Sequence, residues 1–218
     1  MIWKFPRAGD GQAVVGSALF RHDVPVSTHR PRRSLWPHYV KNRLTVLRWP
    51  VWIMERCLGA PPPGAKWAVF AKYGSFNATW IETGTYFGLT TRWLSERTSN
   101  VISLEPDGDV AKLTQRRLRR SPNVRIFNES SETGLVAALQ KSGDRVCLFL
   151  DGHYSGGVTY RGEQVSPIVK EIAAITEHLK HVSLCRVFVD DFRLFGQSDL
   201  DGSYPSAQLL VDFATTNM

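Results

Sequence analysis

Cysteine is scarce in this chain. Three thiols, Cys57, Cys147 and Cys185, stand among 218 residues, too few and too scattered for a disulfide framework. No CxxC or HxH pair occurs, so a zinc-binding signature is missing. Long apolar runs are missing too: no stretch approaches the roughly 18 uncharged residues of a membrane-spanning helix. The opening run Met1-Ile2-Trp3-Lys4-Phe5-Pro6-Arg7 lacks an apolar stretch of signal-peptide length. These absences set the expectation of a reducing, cytoplasmic setting. Charged residues make up 22% and hydrophobic residues 43%, which excludes a disordered composition. The length suits one sizeable core rather than two full domains.

Acidic residues are nearly absent from the first fifty positions, which hold nine Lys and Arg against Asp10 and Asp23 alone. The other 168 residues carry eighteen of each sign, so the net charge of +7 belongs to an N-terminal arm. Such an arm suits an anionic partner or a solvated extension. Pro, Gly and Ser interrupt it and no nucleic-acid motif is visible, which favours the solvated reading.

The expected organisation is a basic arm and packing segment over residues 1–63, then one domain over 64–218, divided at Pro61-Pro62-Pro63-Gly64. Residues 1–35 read as irregular. The apolar segment 36–58 reads as a helical or mixed element broken at Pro50. Strands are expected at Trp80–Thr83, Val101–Glu105, Val124–Phe127, Val146–Asp151 and Arg186–Asp190. Helices are expected at Leu89–Arg97, Asp109–Arg120, Ser131–Lys141 and Ser166–Lys180. In the last of these Ile168, Ile172, Ile175 and Leu179 fall on one stripe, and Pro167 suits the first helical position after a Ser166 cap. Alternating strands and helices predict an α/β domain with a mostly parallel central sheet and helices on both faces.

Four strand ends carry residues capable of chemistry. Glu82-Thr83-Gly84-Thr85-Tyr86-Phe87-Gly88 is a strand running into a glycine-bearing turn. It is not GxGxxG, and an acid beside the turn would repel a pyrophosphate. Glu82 therefore points to a ligand with a cationic or hydrogen-donating group, against the plainer reading of a structural turn. Glu105 follows Gly84 by 21 residues, the spacing of an acid that accepts ribose hydroxyls. Asp151-Gly152-His153 brings an acid and an imidazole to the sheet edge; His153 suits a general base or a loop brace. Asp190-Asp191 ends another apolar strand. With Asp151 on the neighbouring strand, three acids are expected to converge in an oxygen-rich, thiol-free set suited to Mg²⁺, or alternatively Mn²⁺ or Ca²⁺, against the plainer reading of an acidic loop with a helix cap.

These residues resemble a class I S-adenosylmethionine-dependent methyltransferase, over roughly residues 78–195. Glu82–Gly88 is similar to the family's first motif and Glu105 to its ribose-binding acid. Asp151–Ser155 is similar to the fourth motif of the cephalosporin-hydroxylase-like and sugar O-methyltransferase subgroup. Asp190-Asp191, with Asp151, resembles the cation-binding set of metal-dependent O-methyltransferases. The resemblance implies a Rossmann-like methyltransferase fold. It implies S-adenosylmethionine held by Glu82, Thr83, Gly84, Thr85, Gly88, Glu105, Ser130, Ser131 and Asp151, and Mg²⁺ held by Asp151, Asp190 and Asp191. It also implies catalysis by Asp151 and His153 on a small hydroxylated acceptor, with a sugar as one candidate.

Two departures stand out. Tyr86 sits where many members have a glycine. Only 27 residues follow Asp191, so the family's sixth and seventh strands are expected to be incomplete, with Leu209–Phe213 a candidate for one. The missing edge is expected from the N-terminal arm or from a second copy of the chain. A non-catalytic adenosine-binding scaffold is the alternative function. Nucleic acid is not an expected partner, because the body is neutral and lacks an Asn/Asp-Pro-Pro-Tyr-type motif.

Overall fold

A computed structural model describes residues 2–5 (backbone only), 35, 39–40, 44, 48–54, 61–151, 167–196 and 204–217. Its centre is a sheet of six strands: β1 (Ile2–Phe5), β2 (Thr79–Thr83), β3 (Val101–Leu104), β4 (Val124–Phe127), β5 (Arg145–Leu150) and β6 (Leu184–Val189). The spatial order is β1-β6-β5-β2-β3-β4. The five strands β2 to β6 pair in parallel, and β1 alone runs antiparallel, along β6. Strand order reverses at β2, between β3 on one side and β5 on the other. That reversal is the doubly wound, Rossmann-like arrangement, and it opens a ligand crevice beyond the carboxyl ends of β2 and β5.

The helices are α1 (Trp49–Met54), α2 (Pro63–Tyr73), α3 (Leu89–Ser95), α4 (Gly108–Arg117), α5 (Ser131–Gln140), α6 (Ile168–Leu179) and α7 (Ala207–Thr216), with a 3₁₀ turn at Phe192–Leu194. Each expected strand and helix of the body is present, with ends shifted by up to three residues. Pro50 lies in the first turn of α1 rather than breaking it, which its missing N–H allows. Pro63 opens α2 in the same way. Pro167 is the N-cap of α6 rather than its first residue, and the expected Ser166 cap lies outside the described residues.

Two expectations fail. Ile2–Phe5, read as irregular, forms β1. Leu209–Phe213, offered as a late strand, lies inside α7. Leu210, Phe213 and Ala214 are its buried positions, a helical spacing that four-residue strand reading passes over. The antiparallel edge is thus supplied by the N-terminal arm.

The strands alternate their side chains between two different layers. Ile81, Ile102, Val146, Leu148, Leu150 and Val187 meet α5, α6 and α7 in an aliphatic layer. Trp80, Val101, Cys147, Phe149 and Phe188 meet Phe70 of α2 and Leu94 of α3 in an aromatic one. Trp80 anchors this second layer: it is fully buried, stacks on Phe188 at 5.4 Å, and its indole N–H donates to the Ser75 carbonyl at 3.0 Å. Truncating a side chain so placed typically costs about 3–5 kcal/mol. Gly74, where α2 ends, lies against this ring. A Cβ there would stand 2.4 Å from the Phe70 carbonyl oxygen and 2.6 Å from the indole.

Candidate functional site

The turn after β2 is a closed hydrogen-bond circuit. The Gly84 and Thr85 N–H groups both donate to the Leu104 carbonyl at 3.0 Å, and Gly88 N–H donates to the Thr85 carbonyl at 2.8 Å. Tyr86 N–H donates to Glu105 Oε2 at 2.7 Å. A phosphate cradle needs such amides facing a ligand. Here four of the turn's amides are satisfied from within. Gly84 (φ 97°) and Gly88 (φ 71°) take left-handed conformations suited to glycine. Tyr86 takes one too, at φ 48°, a conformation uncommon for a residue with a Cβ.

Glu82 departs from the expected ligand contact. It is 1% exposed, and its Oε2 accepts from Thr91 Oγ1 at 2.5 Å and Ser103 Oγ at 2.8 Å. Since the Ser103 proton is used on Glu82, the 2.6 Å contact between Thr85 and Ser103 hydroxyls has Thr85 as donor. Thr85, Ser103, Glu82 and Thr91 form one buried chain tying the turn to β3 and α3. Burial raises the Glu82 pKa to about 7, against the lowering effect of its hydrogen bonds. Glu82 and Thr85 are braces of the site. Thr83 is a third: fully buried, its Oγ1 accepts from Asp151 N–H at 3.1 Å, joining β2 to the end of β5 across the crevice.

Glu105 is held differently. One oxygen accepts from Tyr86 N–H and the other from Asp107 N–H at 3.0 Å. Two backbone donors fix its orientation at the end of β3, beside the turn. Each carboxylate oxygen keeps a second lone pair, so the group remains able to accept ribose hydroxyls. Burial pushes its pKa up to about 7, the two backbone hydrogen bonds opposing it. Asn128, just after β4, fastens this corner: its Nδ2 donates to the Glu105 carbonyl at 2.8 Å and the Pro106 carbonyl at 3.0 Å. Ser130 and Ser131 lie just beyond, at the start of α5. Ser130 Oγ is 3.2 Å from Thr133 Oγ1, and Ser131 is buried.

Across the crevice the expected metal ligands meet protein cations instead. Lys66, in the first turn of α2, donates through Nζ to Asp190 Oδ2, and the same nitrogen lies 3.7 Å from Asp151 Oδ2. It also stands 5.5 Å from the centre of the Phe149 ring. Burial acts against its charge, but Asp151 and Asp190 outweigh that and hold the ammonium well above the ordinary lysine range. Asp191, at φ 47°, pairs with Arg193. Tyr204 is buried beside these acids. Burial first, then the charges of Asp191, Asp151 and Asp190, raise its phenol.

The donor set therefore does not fit the expected Mg²⁺. An ammonium already bridges two of the three carboxylates and a guanidinium takes the third. No group of three metal-ligating side chains stands open among the described residues. His153, expected as a general base, lies outside the described residues, as does Gly152.

No family model and no curated protein matches the sequence. Solved structures do resemble it. One is a Streptococcus mutans protein, described as a methyltransferase and solved in complex with SAH. It has 14% identity, a TM-score of 0.40, and coverage of 57% of this chain and 68% of that one. A Streptococcus thermophilus rRNA methylase has 13% identity and a TM-score of 0.41, covering 60% and 72%. A Methanobacterium thermoautotrophicum precorrin 8w decarboxylase has 18% identity and a TM-score of 0.39, covering 56% and 60%. Independently of these likenesses, the parallel strand order, the reversal at β2 and the helices on both faces make this a Rossmann-like α/β fold.

Proposed function

We propose that the protein is an S-adenosylmethionine-dependent methyltransferase acting on an oxygen of a small hydroxylated acceptor, with sugars a candidate class. One observation carries the reading: Glu105 stands oriented at the end of β3 while the neighbouring turn amides are consumed internally. A nucleoside with free ribose hydroxyls suits that corner, and a pyrophosphate does not. S-adenosylmethionine brings a reactive methyl group on sulfur. The chain's part is then chiefly to position it, since close, aligned approach of the acceptor accounts for much of such a rate enhancement. Glu105 orients the ribose. Thr83 and the Asp151 backbone hold the two strand ends at a fixed separation. Lys66 is a fixed cation and not a base, because its neighbours keep it protonated. His153, two residues beyond Asp151, is the proposed proton acceptor on sequence grounds, a role typically worth about 10²–10⁴-fold.

Calorimetric titration with S-adenosylmethionine, its demethylated product, ATP and NAD⁺ tests this. The first two should bind and the phosphorylated nucleotides should not. Glu105→Ala, checked for folding by circular dichroism, should weaken binding by about 100-fold, from the loss of charge-assisted hydrogen bonds. Tight NAD⁺ binding would overturn the proposal. The second reading is an adenosine-binding scaffold without turnover, favoured by how fully the turn closes on itself. It predicts the same binding, with no methyl transfer to any acceptor and no effect of His153→Ala on function.

A further inference from the structure

Helix α1 departs from the pattern of the other helices. Each of α2 to α7 buries at least one side chain, whereas α1 buries none. Its residues are nonetheless apolar throughout: Trp49-Pro50-Val51-Trp52-Ile53-Met54. Val51, Ile53 and Met54 are exposed, the last at 82%. Val40 and Leu44, also helical, are exposed as well. Nine large apolar side chains are exposed among the described residues, and six of them, counting Trp49, fall between Val40 and Met54. A lone exposed aliphatic needs no explanation, but a cluster of this density marks an interaction surface.

The cluster is anchored to the body at two points. Tyr39 packs edge-on against Phe87 at 5.9 Å, and Arg117 lies 4.1 Å over its ring and donates to its hydroxyl at 3.0 Å. Trp49 lies against Gly64 in the first turn of α2, where a Cβ would stand 2.7 Å from the indole nitrogen. It also meets Trp52 edge to face at 5.7 Å. One anchor is thus at the turn after β2 and the other at the start of α2, so the cluster sits beside the crevice.

Charge chooses the partner. Lys41, Arg43 and Arg48 lie between Val40 and Met54 and no acid does, and Arg48 is exposed. A solvated arm accounts for the charge but leaves the apolar cluster without a role. A second copy of this chain would set the same cations against each other across a two-fold interface, which like charges oppose. Nucleic acid matches the cations, but single-strand binders stack aromatic rings on the bases, and here the outward groups are chiefly aliphatic. An anionic lipid surface matches both: its headgroups meet the lysine and arginine charge while the apolar groups enter the acyl boundary. With six residues, α1 is far short of a bilayer span, so it would lie along the interface.

We propose that Val40, Leu44, Val51, Ile53 and Met54, with Lys41, Arg43 and Arg48 among them in sequence, form a peripheral membrane-binding surface that seats the protein on anionic lipid beside the mouth of the crevice. The proposal stands whether or not the chain transfers methyl groups.

Co-flotation of the full chain with lipid vesicles tests it, using phosphatidylcholine alone and phosphatidylcholine carrying about 30% phosphatidylserine. Binding to the anionic vesicles should be about tenfold tighter or more, and should weaken about tenfold as salt is raised from about 0.05 M to about 0.5 M. Ile53→Ser with Met54→Ser, both at exposed positions, should weaken it about tenfold or more. Ile53→Leu with Met54→Leu should preserve it, and circular dichroism checks that each variant folds. Three results would overturn the proposal: no vesicle binding by the unaltered chain, equal binding to neutral and anionic lipid, or binding indifferent to the serine pair. So would dimerisation or RNA binding that the serine pair abolishes in a chain that binds no lipid, since the cluster would then belong to that partner.

Discussion

The two halves of the sheet's carboxyl edge bury acids in opposite ways. At β2 and β3, Glu82 and Glu105 are surrounded by hydroxyls and backbone amides, and burial lifts both to about 7. At β5 and β6, Asp151, Asp190 and Asp191 are met by Lys66 and Arg193. The first half holds carboxyl groups near their point of neutralisation. The second holds an ion network whose lysine stays charged. A corner of hydrogen-bonded carboxyl groups and an ionic wall therefore face each other across the strand reversal.

Removing the cation should disturb the ionic wall most. Lys66→Met leaves a nearly buried Asp190 without its partner, and breaking such a pair costs about 3–5 kcal/mol. Urea denaturation would measure this as a lowered midpoint with an unchanged slope. A loss below about 1 kcal/mol would mean that the pair behaves like a surface salt bridge.

The carboxyl corner at β2 and β3 should respond to pH instead. An acid whose folded pKa is raised binds its proton more tightly in the folded state. Its contribution is intact below the unfolded value of 4.5 and is lost as pH climbs to about 7. Glu82→Gln keeps an oxygen for Thr91 and Ser103 but has no charge to bury. It should stabilise the protein by about 2 kcal/mol at pH 8 and leave stability unchanged at pH 4. Thermal melts at the two pH values decide the point; an equal shift at both would place the cause in packing. The lysine's own contribution should stay constant over this range, since a raised lysine loses it only above the ordinary value of 10.5.

The smallest expected effect lies at the corner's rim. Asp107 caps α4, its Oδ1 accepting from Asp109 and Val110 N–H at 3.0 Å. Asp107→Ala should cost about 1 kcal/mol. Its backbone N–H still reaches Glu105, so ligand affinity should stay within about twofold; a larger loss would show that the cap helps to place the carboxylate.

Much of this architecture was legible in the chain because the evidence for it is local. Apolar runs such as Leu148-Phe149-Leu150 mark a strand buried on both faces, and the acid that follows falls at the crevice. Glu105 was placed by its distance from Gly84, and the structure puts it beside that turn. What was not legible came from long-range placement. Lys66 and Asp190 are 124 residues apart, and neither announces the other. The clue was a cation in the first turn of a proline-started helix, where the macrodipole asks for the opposite sign. Glu82 points to a ligand in the sequence because an acid stands beside the glycine-bearing turn, a position that does not say how deeply its carboxyl is covered. Thr91 of α3 covers it. β1 escaped notice because four residues are too short for a periodicity, and only its pairing with β6 defines it.

That pairing has a practical corollary. Residues 2–5 shield the rim of β6, whose backbone would otherwise offer a template for a foreign strand. Trimming the chain before Pro6, a common step in preparing crystals, should increase self-association relative to the intact chain, which light scattering would detect. An amino-terminal tag should be joined through a spacer long enough to leave those four residues on the sheet.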